Sequence, residues 1–303
     1  MAIWLIPIVL RILLINAIYP VLLKGKIITK DIIQRFFLQY LFCSLISLAC
    51  AVYLGQFVLG TTMFLLIGIG ILNGVSAYAD WRATEINLSS MSLFSFLDDV
   101  IAISLGFLIL KETEFLNRQI GLGLLLCVLA IVLLSVGNYM KKHREGGSNT
   151  ALPLKFFVYV FIFTSIWGVN AFFIRWFALK DIGVGTFMFG WYFGSFIVAT
   201  ILMLIKKEGT LTQEIIKIKK SSNISVGFIS SLFVTVNIAF SYWALSLAPL
   251  TVVKPIFFVS AMVIPALFGL YYFNERQGLT KSEKLSFPLA IIGGVVIALG
   301  FGG

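Results

Sequence analysis

Charge is what this sequence has least of. Lys, Arg, Asp and Glu supply 12% of 303 residues, where a soluble domain carries roughly a quarter. A chain so poor in charge cannot cover its own surface in water. Histidine occurs once, as His143, which excludes metal sites of the His-Glu-x-x-His type. The three cysteines, Cys43, Cys50 and Cys127, each lie inside an apolar stretch, so they make no disulfide framework and read as small core residues. Glycines are plentiful, but no Gly-Lys-Ser/Thr follows them, so no phosphate loop is encoded. No basic segment and small-residue cleavage site precede the first apolar run, and no removed signal peptide is expected. Polar stretches of any length are confined to 24–33, 139–153, 206–223 and 273–285, too short for a soluble domain.

What is present is apolar. Hydrophobic residues make up 60% of the chain, and its mean hydropathy is +1.03. Crossing about 30 Å of hydrocarbon takes roughly 20 mostly apolar residues as a helix. Ten stretches meet that length: 3–23, 34–54, 61–79, 88–110, 117–138, 154–178, 184–205, 224–244, 250–272 and 286–302. The expected fold is an all-α membrane protein of ten transmembrane helices, multi-pass in the cell membrane.

The formal net charge of +10 would suit nucleic acid in a soluble protein. Here the cations sit in the connections, so nucleic acid is excluded as a partner. The odd-numbered connections hold 17 of the 23 Lys and Arg residues. Cations are retained on the cytoplasmic side of short loops, so the expected topology has odd connections inside and both termini outside.

The sequence also repeats itself. Gly106 and Glu112 close the fourth stretch with the spacing that Gly269 and Glu275 show at the ninth. Asn16-Ala17 in the first matches Asn170-Ala171 in the sixth, with Lys26 and Lys180 equally far beyond. Trp81-Arg-Ala83 likewise matches Tyr242-Trp-Ala244. Five spans per half make residues 1–140 one repeat and 154–303 the other, joined by a charged linker over 141–153. An odd number of spans inverts the second copy. Inverted repeats with a site between the halves are a common plan of secondary transporters.

On these residues the whole chain resembles the drug/metabolite transporter superfamily, EamA type. Gly106, Glu112, Gln119 and Gly121 in the first half carry the resemblance, as do Tyr242, Pro249, Pro255, Pro265, Gly269 and Glu275 in the second. Trp167-Gly168-x-Asn170 resembles the family's opening of a repeat. The resemblance implies ten helices in two five-helix repeats and transport of a small solute. The chain departs from the pattern at Asp98-Asp99, where relatives are usually apolar, and in lacking Trp-Gly in the first helix.

Ionisable residues at mid-membrane cost roughly 2.5–3.5 kcal/mol each and are functional candidates by default. Asp98 and Asp99 lie at the centre of the fourth span, Lys254 beside Pro255 in the ninth, and Arg11 in the first. The aspartates suit a substrate amine or a proton relay; equally, they suit a structural ion pair with Arg11, Lys254 or Arg175. Lys254 suits a carboxylate or phosphate, or it snorkels. Arg11 reads as a packing partner. Asn16 and Asn170 are deep polar groups able to bond a solute or join helices. Trp167, Tyr242 and Trp243 are candidate aromatic walls for an organic cation, whereas Trp4, Trp176 and Trp191 read as interface residues. Glu112 and Glu275 read as structural groups at the membrane surface. Small-residue faces in the fifth and tenth helices suit a contact between halves or a homodimer, and Gly183, Gly185, Gly190 and Gly194 suit a hinge.

Transport of a small metabolite, an amino acid or another zwitterion, by alternating access is the function these features favour. Its partners would be that solute, a coupling proton or ion, and membrane lipid. A flippase for a lipid-linked intermediate is the alternative, and an intramembrane enzyme a distant one. Adjacent carboxylates on one helix do not make an aspartyl dyad, so the chain reads as no enzyme, without metal or cofactor.

Overall fold

A computed structural model describes residues 3–19, 22, 32–94, 96–144, 153–205, 223–267 and 281–302. Among these residues every regular element is helical. That is the expected solution for apolar chain in lipid, because a helix satisfies all its backbone groups internally. Ten α-helices follow in order: α1 Leu5–Arg11, α2 Ile32–Tyr53, α3 Thr61–Phe94, α4 Phe96–Ile109, α5 Arg118–Arg144, α6 Leu154–Ala178, α7 Val184–Ile205, α8 Asn223–Leu247, α9 Leu250–Leu267 and α10 Lys281–Gly302. Among the described residues, six segments are long and apolar enough to cross a bilayer: Ile32–Tyr53, Thr61–Asn87, Leu154–Ala178, Val184–Ile205, Ile224–Leu247 and Lys284–Phe301. Leu5–Ile18, Arg118–Leu133 and Leu250–Ala261 are shorter apolar helices. The chain is an integral membrane protein by this measure.

Two elements depart from the sequence-based boundaries. The third helix does not stop near residue 79. It runs on to a break at Asn87, whose backbone is extended (φ −160°, ψ 97°). Ala79 and Ala83 are buried there, while Arg82 bonds Tyr78 at 2.9 Å and pairs with Glu85 at 2.8 Å. The expected polar connection is therefore an amphipathic last turn. The second departure is in α1, which continues over Ile12–Ile18 with wider i→i+5 turns. Such turns occur often at functional sites. They bring residues five apart towards the same face, as Arg11 and Asn16 are.

Helices from the two halves of the chain interleave. α3 packs on α6 and α7, α2 on α7 and α8, α4 on α6 and α9, and α1 on α8 and α9; α5 packs along α10. Glycines set the closest approaches. A methyl at Gly194 would strike the Ile67 carbonyl, and one at Gly123 would lie 2.5 Å from Ile297 and 2.8 Å from the Gly293 carbonyl. The small faces of α5 and α10 thus meet each other inside the chain. Gly190 and Gly194 are likewise packing positions against α3.

The core between these helices is aromatic. Trp191 and Phe187 are fully buried, and Trp4 packs edge-on against Phe301 at 5.2 Å. Trp4 and Trp191 are therefore core residues, not members of an interface belt, because they sit at helix crossings. Apolar side chains also cover the outside. Leu285, Ile291, Ile292, Val295 and Leu299 on α10 are all exposed, as lipid contact requires. Residues 145–152 of the expected linker, together with Gly269 and Glu275, lie outside the described residues, whereas 141–144 belong to α5.

Candidate functional site: a mixed-charge cluster between α1, α4 and α9

α4 begins at Phe96, so its first turn carries Asp98, which is buried, and Asp99. Gly168 of α6 makes room for it: a methyl there would lie 2.8 Å from the Asp98 carbonyl and 2.7 Å from Ile101. The Trp167-Gly168 pair noted in the sequence thus marks a helix crossing, with Gly168 at the contact.

Across from α4, Lys254 projects from α9. Its Nζ donates to Asp99 Oδ1 at 2.5 Å and to Asp98 Oδ2 at 3.5 Å. The side chains retain 11%, 18% and 8% exposure for Lys254, Asp99 and Asp98, so the group is mostly dry. Adjacent helical residues point about 100° apart, and a four-carbon lysine stem bridges both. Of the three cations weighed as partners, Lys254 is the one that pairs with the aspartates. α9 runs through Pro255 as a continuous helix. That proline still removes the N–H that would bond the Thr251 carbonyl.

Arg11 completes the cluster from α1. Its Nε donates to Asn237 Oδ1 of α8 at 2.7 Å, and its guanidinium lies 3.7 Å above the Phe257 ring. Phe257 stands three residues beyond Lys254 on α9, so Arg11 packs one helical turn from the lysine. The cluster holds two acids and two bases, balanced in formal charge. Below Arg11, Asn16 donates to Ser260 of α9 at 2.9 Å, so α1 is pinned to the helix that carries Lys254.

Asn170 is completely buried, and among the described residues neither amide atom has a partner. The three aromatic candidates make their ring contacts elsewhere. Trp167 stacks on Phe163 and meets Trp191 edge-on. Tyr242 packs on Phe187 and donates to the Ile182 carbonyl at 2.5 Å. Trp243 is 40% exposed and stacks on Phe240.

A second ion pair lies at the far end of α4. Lys111 turns the chain with a left-handed backbone (φ 55°), and Glu112 folds back under α4. Its Oε2 would lie 3.0 Å from a methyl at Gly106, which is why glycine stands six residues before the glutamate. Oε1 accepts from Arg175 Nε at 2.9 Å, and Oε2 accepts the Leu250 N–H at 2.9 Å. Arg175 also donates to the Leu245 carbonyl at 2.5 Å. One carboxylate therefore caps the start of α9, and its arginine caps the end of α8. Glu112 is structural, as its sequence position suggests, but it is 2% exposed and not at the surface. Sequence reasoning missed this pairing with Arg175, and it missed Asn237 and Ser260; a polar residue within an apolar span was the available signal for each.

No protein-family model matches the chain, and no curated protein matches it either. Its fold is similar to that of a protein solved by crystallography. The two align over 98% of this chain and 96% of the other with a TM-score of 0.67 and 14% identity. At that identity the likeness speaks for the fold alone.

Proposed function

We propose that the chain is a secondary-active transporter of the drug/metabolite transporter superfamily, EamA type, moving a small zwitterionic metabolite across the cell membrane by alternating access. The observation that carries this reading is the balanced cluster of Asp98, Asp99, Lys254 and Arg11 inside an apolar helical body. Groups that cost so much to bury persist where they serve a solute or ion path. A solute bearing both charges replaces their mutual contacts without leaving net charge in the interior. Ten spans arranged as two inverted repeats of five belong to the same reading. In its support, packing partners exchange when each helix is replaced by its counterpart five places on: α3 with α7 becomes α8 with α2, and α4 with α6 becomes α9 with α1. α5 with α10, α4 with α9 and α2 with α7 map onto themselves. A proton or ion gradient, or the solute gradient itself, supplies the energy.

Thermal unfolding of the purified protein against a metabolite panel tests the reading. A solute at a hundred times its dissociation constant stabilises the folded state by about 2.7 kcal/mol, a plain rise in melting temperature. If no amino acid, amine, acid or other polar metabolite shifts the transition, the reading is wrong.

The loop charges favour odd connections in the cytoplasm. A reporter fused at the C-terminus should then read as external, and one inserted within 206–223 as internal. The opposite pair of signals would reverse the orientation.

A further inference from the structure

We propose that Arg11 is the carboxylate-recognition residue of the transport site, an assignment that rests on the transport reading and names the group of the solute that each part of the cluster takes. Arg11 is already oriented. Asn237 holds its Nε edge at 2.7 Å, and the Phe257 ring supports its face at 3.7 Å. That leaves the end of the fork, and there Nη1 is buried with no partner among the described residues. An end-on guanidinium presents parallel N–H groups to a carboxylate, which a lysine ammonium cannot do. A buried donor without an acceptor is costly, so a solute oxygen at Nη1 meets a group that needs one.

Lys254 does not compete for this role. It is held by Asp99 at 2.5 Å and is occupied. Asp98 is engaged more weakly, at 3.5 Å, and is the acid this assignment gives to the ammonium. The balance of two acids and two bases also selects against other anions. A dianionic phosphate on Arg11 would leave uncompensated negative charge among buried groups, whereas a zwitterion leaves none.

The test uses the full chain in detergent and the twenty proteinogenic amino acids as probes. The strongest binder is then compared with its decarboxylated amine and its deaminated acid. Arg11→Gln should weaken binding of the amino acid at least tenfold and leave the amine unchanged. Arg11→Lys should recover part of the affinity, since charge returns without the fork. Amino-acid binding equal to wild type in Arg11→Gln overturns the assignment, as does an equal loss for amino acid and amine. If Arg11→Gln does not fold, Arg11→Lys decides by the same comparison: a loss confined to ligands with a carboxylate supports the assignment, and a loss shared by the amine overturns it. A wild-type protein that binds only solutes without a carboxylate keeps the transport reading and sinks this one. A protein that binds no metabolite sinks both.

Discussion

Replacing Glu112 by Gln should lower the unfolding free energy by about 3–5 kcal/mol, the usual cost of leaving one partner of a buried ion pair alone. The amide oxygen can still accept the Leu250 N–H, so the loss falls on Arg175, whose Nε faces Glu112 at 2.9 Å. Arg175→Met should cost a similar amount, because Glu112 then keeps its charge with one backbone donor. The double variant should cost clearly less than the two single changes added together, since no unpaired charge remains. Denaturant unfolding of the purified variants measures all three. Additive losses would mean that the pair does not couple, and a stable Glu112→Gln would mean that the clamp between α8 and α9 is held by other contacts.

This clamp shows what the sequence could and could not say. The Gly106 and Glu112 spacing was visible, because it is local and recurs at Gly269 and Glu275. The reason for it was not, because Arg175 lies 63 residues away and Leu250 lies 138 away. Helix existence was legible throughout from hydropathy, since lipid leaves the backbone no other choice. The end of α3 was misplaced for the opposite reason. Arg82 and Glu85 look like a polar connection, but i,i+3 pairing lets them continue a helix whose other face is Ala79 and Ala83. Asp98, Asp99 and Lys254 announced themselves as charges in apolar spans. Which cation meets which acid depended on how α9 lies against α4, and no local pattern records a crossing between distant helices. Arg11 was visible for the same reason as the aspartates, yet its orientation by Asn237 and Phe257 needed three helices at once.

Asp98→Asn and Asp99→Asn should separate transport from folding, although the residues are neighbours. Asp99 sits 2.5 Å from Lys254 and Asp98 3.5 Å. Removing the charge of Asp99 leaves the lysine with its weaker partner, so that variant should lose stability, up to about 3–5 kcal/mol in the fully buried limit. The residual exposure of both groups keeps the loss below that limit. Asparagine at 98 keeps the size and the hydrogen-bonding capacity but removes the charge. That variant should insert and purify like wild type. Its solute affinity should fall roughly ten- to a hundredfold, because a hydrogen bond to a charged group is worth about 1.5–3 kcal/mol. Reconstituted vesicles loaded with the solute found by thermal shift give the uptake rate, and denaturant curves on the same preparations give stability. A cluster that served only to hold α4 against α9 would show parallel losses of stability in both variants, with uptake per folded molecule unchanged. If both variants transport at the wild-type rate, or if both fail to fold, Asp98 has no part in moving the solute.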